Sequence, residues 1–195
     1  MLSQNNNSPV IQGVGEDAET LQKLLISAKH GDTKAFGDVY TRLFTPLYRY
    51  VLSRCHSKEI TDDICQQTFL NFYEALASYK PEKHPLAYLF TIARRLLINH
   101  HQKNKPISFD ETILEAVHDE SVDIIEETHI HLLANHVMTH IASLTDDEQE
   151  VIRLYYFGEL TYDEIATTLT TSNANIRKIK ERALKKLRVL YTQNP

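Results

Sequence analysis

Apolar residues recur every three or four positions over most of the chain, the spacing of helices that turn one face to a core. The first stripe, Leu21, Leu24, Leu25 and Ala28, stops at His30-Gly31-Asp32, where a glycine suited to a helix C-terminus precedes an aspartate suited to a new N-cap. A long helix is expected over about residues 33–53, with Phe36, Val39, Tyr40, Phe44, Leu47, Tyr48 and Val51 inward and Pro46 as a point where it can kink. A third helix, about 59–78, places Ile60, Ile64, Phe69, Phe72, Tyr73 and Leu76 inward, and a fourth runs over about 85–104. Helical spacing resumes near Ile124, with Ile130, Leu133, Ala134, Val137 and Ile141 on one face. Two Thr-x-x-Glu capping boxes, Thr145 to Glu148 and Thr161 to Glu164, then mark two further helix starts. Strand-like alternation is absent, so the expected class is all-α.

Between the two helical stretches the pattern dissolves. Residues 106–127 carry Asp110, Glu111, Glu115, Asp119, Glu120, Asp123, Glu126 and Glu127 with no Lys or Arg, a segment that repels itself and buries little. The expected organisation is a disordered tail (1–16), a helical domain (17–105), a flexible acidic linker (106–127) and a second helical domain (128–195). A length of 195 residues suits two small domains. The two cysteines, Cys55 and Cys65, are too few for a disulfide scaffold and read as half-buried free thiols. No apolar run is long enough to span a membrane and no signal-peptide pattern opens the chain, so a cytoplasmic protein without membrane insertion is expected.

Net charge is −5, which taken alone disfavours a nucleic-acid partner. Its distribution reverses that conclusion. Residues 78–105 hold a local balance of +5 and residues 171–195 one of +6, leaving −16 for the rest. In the second basic island the spacing is that of a helix-turn-helix. Counted from Tyr162, Ala166 takes the fifth position, where two helices cross closely, and Ile176 the fifteenth, with Ile165, Leu169 and Ile179 completing a small core. The second helix, about 173–190, then presents Asn173, Asn175, Arg177, Lys178 and Arg182 outward, side chains able to reach base edges or phosphates, with Ser172 just before them. Late cations Lys185, Lys186 and Arg188 suit phosphate contacts.

The run from Leu144 to Ala166, Leu-Thr-Asp-Asp-Glu-Gln-Glu-Val-Ile-Arg-Leu-Tyr-Tyr-Phe-Gly-Glu-Leu-Thr-Tyr-Asp-Glu-Ile-Ala, resembles the fourth region of bacterial RNA polymerase sigma factors. Asp63-Ile-Cys-Gln-Gln-Thr-Phe-Leu70 resembles the second region, and Ala87-Tyr-Leu-Phe-Thr-Ile-Ala-Arg-Arg-Leu96 the helix after it. Two such regions separated by an acidic linker alone is the layout of the extracytoplasmic-function (ECF) group of the sigma-70 family. Tyr73 and Tyr88 stand where that family commonly has Trp, and Thr170 and Thr171 stand in the helix-turn-helix turn, where Gly and an apolar residue are usual. A β-branched residue resists the positive φ such a turn needs.

The resemblance implies a transcription initiation factor that binds core RNA polymerase and promoter DNA and assists promoter opening. It leaves room for an anti-sigma factor. Asp62, Asp63, Gln66 and Gln67 fall where the family docks on polymerase. Tyr79, Lys80, Lys83, His84, Tyr88, Arg94, Arg95 and Asn99 fall where it captures the minus-10 strand, with cations for phosphates and rings for stacking. Ser172, Asn173, Asn175, Arg177, Lys178 and Arg182 fall on the minus-35 reading helix. The linker would lie as a polyanion in the nucleic-acid channel. The resemblance calls for no catalysis, cofactor or metal.

Two other classes compete. An ordinary helix-turn-helix regulator would bind duplex DNA without polymerase, usually as a dimer. A histidine-based metalloprotein would use His129, His136 and His140, which project within about 40° of one another at helical spacing but have no fourth ligand in the run. Five scattered glycines, Gly13, Gly15, Gly31, Gly37 and Gly158, exclude a P-loop or dinucleotide-binding loop.

Overall fold

A computed structural model describes residues 14–79, 85–103 and 137–193, and all regular structure among them is helical. The first unit comprises α1 (Val14–Lys29), α2 (Thr33–Cys55), α3 (Lys58–Ala75), a 3-10 turn (Leu76–Ser78) and α4 (Pro85–Lys103). The second comprises α5 (described over 137–142), α6 (Asp146–Tyr156), α7 (Tyr162–Thr168) and α8 (Asn173–Gln193). The first three residues of α1 lie inside the expected tail. The expected linker 106–127 lies outside the described residues, as do His129 and His136. No described helix is long and apolar enough to cross a membrane.

Local chemistry sets the helix ends. α1 closes with a paired motif in which Gly31 N–H donates to Ala28 O and Asp32 N–H to Ser27 O, and Gly31 takes φ 93°, open to a residue without Cβ. Asp32 then caps α2, its Oδ1 accepting from Ala35 N–H at 3.0 Å. α2 continues as one helix through Pro46 to Cys55 and ends on His56 in the left-handed region. Ser57 caps α3. In the capping box at α7, Thr161 Oγ1 accepts from Glu164 N–H while Thr161 N–H donates to Glu164 Oε2 at 2.8 Å.

The α7–α8 turn repeats the α1–α2 closure with a different residue. Thr170 N–H donates to Thr167 O and Thr171 N–H to Ala166 O, the same pair of bonds, and Thr170 holds φ 54°. The turn therefore keeps the geometry that glycine ordinarily supplies, and Thr170 bears the Cβ clash of a left-handed backbone. Thr170→Gly is expected to stabilise the protein by about 1 kcal/mol, seen as a higher urea midpoint at unchanged slope. An unchanged or lower midpoint would show that this turn carries no strain.

Among the described residues the core follows the stripes with three exceptions, one of them Val137 of α5, which is 50% exposed. Val39, Leu47, Tyr50, Val51, Phe72, Leu89, Phe90, Ala93 and Leu97 are wholly buried, whereas Tyr40 and Tyr73, expected inward, are 40% and 45% exposed. Each lies at the edge of its stripe, where the α2–α3 crossing runs out. Ile165, Ala166, Ile176 and Ile179 are buried together as the helix-turn-helix spacing requires. The two units share a core, and the second keeps a small cluster of its own around Ile141, Leu144, Ile152 and Ala183. Val151, Leu154, Leu160, Ile165 and Ile176 of the second join Tyr50, Leu89, Phe90 and Ala93 of the first in one buried cluster. Gly158, in the α6–α7 turn, lies so close to the first unit that a Cβ there would come within 2.6 Å of Phe90 Cε1 and 2.8 Å of Leu154 O.

Candidate nucleic-acid interface

α8 presents its early polar residues in an ordered row. Arg177 Nε donates to Asn173 Oδ1 at 2.8 Å, Asn173 Nδ2 donates to Asp163 Oδ1 at 2.7 Å, and the guanidinium lies 4.6 Å from the centroid of the Tyr162 ring. This arrangement commits Nε and leaves the two terminal nitrogens of an exposed arginine as a fork, the geometry that matches the O6 and N7 acceptors of guanine. Lys178 and Arg182 are also exposed. Ser172 Oγ accepts from Asn175 N–H at 3.2 Å and so starts the helix, while Asn175 Nδ2 donates to Thr171 Oγ1.

Not every cation of this island faces outward. Lys180 Nζ lies 3.6 Å from the Tyr155 ring centroid and 4.9 Å from that of Tyr162. Burial works against its charge, but the Tyr162 and Tyr155 hydroxyls outweigh it and hold the ammonium above the ordinary lysine pKa. Lys186, expected on phosphate, donates instead to Glu148 Oε2 at 2.8 Å. Glu148 is 3% exposed and also accepts from Thr145 N–H, so Lys186 pins α8 to the start of α6. Burial opposes the Glu148 charge, yet Lys186 and the Thr145 donors outweigh it and lower the pKa below the usual carboxylate range.

In the first unit the rings and cations part company. Tyr79 is 6% exposed, packed edge-on to Phe72 at 6.3 Å and tilted against Tyr88 at 5.8 Å, and burial pushes its hydroxyl up to about 12. It belongs to the core, not to a surface on which bases stack, because Phe72 and Tyr88 close over it. Tyr88 is half-buried. Arg95 and Asn99, one helical turn apart, are exposed along α4. Lys80, Lys83 and His84 lie outside the described residues.

Asp62, Asp63, Gln66 and Gln67 are all exposed on α3. Asp62 and Gln66 border an open groove of about 700 Å³ between α2 and α3, floored by Phe36, Phe44 and Phe69 and walled by the exposed Tyr40, Leu70 and Tyr73. The two tyrosines missing from the core therefore reappear as the wall of an apolar face with a polar edge. Asp63 and Gln67 lie outside that lining, and Gln67 donates to Asn71 at 2.8 Å.

Arg94 points elsewhere. Its Nε lies 3.4 Å from Glu150 Oε1, a carboxylate of the second unit that also accepts from the Tyr50 hydroxyl at 2.6 Å and pairs with Arg54 at 3.1 Å. Tyr50 is fully buried, and burial followed by the Glu150 charge raises its pKa well above the ordinary phenol value. Beside it, Arg153 Nε donates to Ser53 O at 3.1 Å and its Nη1 to Gln149. Sequence reading passed over Glu150 as one of several acids in the first turns of α6. Its signal was present: Glu150 shares a helix face with Leu154, a place in the apolar stripe that an unpaired carboxylate does not tolerate.

Among the described residues no three His, Cys, Asp or Glu side chains cluster as a metal site. Cys55 and Cys65 are free thiols, the first half-buried and the second buried, and burial pushes them up to about 11 and about 12.

Comparison with known proteins places the chain in a family. The Sigma-70 region 2 family matches residues 39–107, and Sigma-70, region 4 matches residues 140–189. The chain is 26% identical over 157 residues to the ECF RNA polymerase sigma factor SigM of Bacillus subtilis, covering 80% of this chain and 94% of SigM. Its fold is similar to that of CnrH in complex with the cytosolic domain of CnrY, with a TM-score of 0.70 at 21% identity over 90% of this chain and 99% of CnrH. It is also similar to the sigma factor RpoE in complex with the anti-sigma factor NepR from Bartonella quintana, with a TM-score of 0.61 at 17% identity over 83% of this chain and 99% of RpoE. With its two helical units, its helix-turn-helix and both family regions in order, the chain belongs to the sigma-70 family as an ECF sigma factor, a promoter-recognising transcription initiation factor.

Proposed function

We propose that the chain divides promoter reading between its units, 17–105 for the minus-10 strand and 128–195 for the minus-35 duplex, with 106–127 as the connection. The helix-turn-helix reads the duplex through Ser172, Asn173, Asn175, Arg177, Lys178 and Arg182. Arg94, Arg95 and Asn99, together with Lys80, Lys83 and His84, hold the unpaired strand. The observation that carries this reading is the Asp163–Asn173–Arg177 chain of hydrogen bonds, which orders an exposed guanidinium before any ligand arrives. Core RNA polymerase docks at the α2–α3 groove beside Asp62, Asp63, Gln66 and Gln67, where an apolar face meets acidic and amide edges. CnrH and RpoE are held by partner proteins in their solved complexes, and an anti-sigma factor is a third partner for this chain.

Transcription reconstituted with core polymerase tests both halves. Reversing charge with Asp62→Lys and Asp63→Lys should weaken polymerase capture at least about tenfold, a loss of about 1.4 kcal/mol, while helix content stays near wild type. Unchanged capture would move the docking surface elsewhere. Arg177→Ala should relax base preference at one position of a randomised minus-35 library and cost on the order of 1–3 kcal/mol on the preferred sequence. The same preference in wild type and variant would remove Arg177 from base reading. Duplex binding by the free chain as a dimer, with no polymerase capture, would favour the ordinary regulator.

A further inference from the structure

We propose that Tyr162 is a specificity-positioning residue whose ring sets the plane of the Arg177 guanidinium, and that Lys180 braces that ring instead of contacting a DNA phosphate. This inference rests on the assignment of Arg177 to base reading in the minus-35 duplex. A guanidinium is planar, and bidentate recognition requires both terminal nitrogens to meet the edge of one base together. The hydrogen bond from Nε to Asn173 Oδ1 holds one corner of the group and leaves it free to swing about that bond. The Tyr162 ring supplies the second constraint, because the guanidinium carbon lies over it at 4.6 Å from the centroid.

Three helices meet to hold this ring. Tyr162 is the first residue of α7, directly after Thr161, so the capping box fixes its backbone. Tyr155 of α6 packs against it with 5.2 Å between ring centroids and 31° between planes. Lys180 of α8, one turn after Arg177, brings its ammonium to 3.6 Å from the Tyr155 centroid and 4.9 Å from that of Tyr162. Like charges one turn apart on a helix repel, and here both lie over the negative faces of tyrosine rings. Lys180 is half-buried in that place and stays charged, whereas Lys178 on the same helix is exposed. An ammonium engaged by two rings does not at the same time extend to a phosphate, so its service is to the ring and, through the ring, to Arg177.

Base preference measured with the full chain on core polymerase, over a promoter library randomised in the minus-35 element, tests the proposal. Tyr162→Leu is expected to lower discrimination at least fivefold at the same base position that Arg177→Ala relaxes, and to add nothing further in the Arg177→Ala background, because a residue acting through Arg177 has no effect once Arg177 is gone. Tyr162→Phe restores the ring and should bring discrimination back to within twofold of wild type. Wild-type preference in a Tyr162→Leu variant of native helix content, or an effect that adds in full to that of Arg177→Ala, overturns the positioning role. Relaxed preference in Tyr162→Phe overturns the role of the ring and leaves only the hydroxyl.

Lys180→Met supplies the second measurement, keeping length and removing charge. It should lower discrimination at that same position at least twofold while leaving the slope of log affinity against log salt as in wild type, whereas loss of a phosphate contact flattens the slope by about 0.9. A flattened slope, or unchanged discrimination, overturns the brace. If Arg177→Ala itself keeps the wild-type preference, the base-reading assignment falls and this proposal with it. If Arg177→Ala relaxes the preference and Tyr162→Leu does not, only the positioning falls.

Discussion

Replacing Arg94 and Arg95 together with Ala is expected to abolish most promoter opening while leaving polymerase capture and closed-duplex binding in place. An unpaired strand costs a few kcal/mol to unstack, and charge-assisted hydrogen bonds to its phosphates contribute roughly 1.5–3 kcal/mol each. Losing two of them should reduce permanganate-reactive thymine near the start site by at least about tenfold. A template already mismatched over the minus-10 element should recover transcription only in part, because holding the strand is weakened as well as exposing it. The structure separates the two residues. Arg95 is exposed and on the proposed assignment serves the strand alone, whereas Arg94 also meets Glu150, so Arg95→Ala isolates strand capture and the double variant adds a loosened boundary. Wild-type opening by the double variant would make this helix a solvated face and return the ordinary regulator to contention.

Phe90→Ala is expected to produce the largest loss of stability, about 3–5 kcal/mol, because the ring is wholly buried and its removal leaves a cavity that neither unit can fill. The ring centroid lies 5.1 Å from that of Tyr50, and the edge of the ring meets Gly158 where no Cβ fits. It is thus shared between units, and its loss should uncouple them. Urea unfolding followed by circular dichroism should change from one transition to two, since domains without a common core melt separately. A single transition shifted by less than about 1 kcal/mol would mean that the joint core contributes little to cohesion.

The parts of the fold that could be read from the chain are those decided within a few residues. A cap is a side chain meeting a backbone N–H across one helical turn: Asp32 and Thr161 accept from the N–H three positions on, and at Thr145 the backbone N–H donates to the Glu148 carboxylate, each where the pattern placed it. The helix-turn-helix core of Ile165, Ala166, Ile176 and Ile179 was legible because its spacing is set by one short turn. Thr170 shows the limit of local preference. Its side chain resists a positive φ, yet two backbone hydrogen bonds and the packing of α7 on α8 hold it there.

Other misjudged positions depended on what lies across from a helix. Tyr40, Tyr73 and Tyr79 are chemically alike at the edges of apolar stripes, but the first two wall an open groove and the third is closed over by Phe72 and Tyr88. Lys180 and Lys186 belong to a basic run, yet the first lies against tyrosine rings and the second serves the buried Glu148. Nothing in their own neighbourhoods distinguishes them from Lys178, which faces solvent.

By itself the sequence determined the helices, their ends, the helix-turn-helix and the family, because periodicity and capping act over one or two turns of chain. Only the tertiary structure decided that Tyr50 and Glu150, one hundred residues apart, share a proton-bearing hydrogen bond, and that Arg94, still partly open to solvent, meets a carboxylate of the same chain. Such contacts form when two finished surfaces meet, and the free energy that selects the meeting, burial of Phe90 and compensation of Glu150, belongs to both surfaces at once.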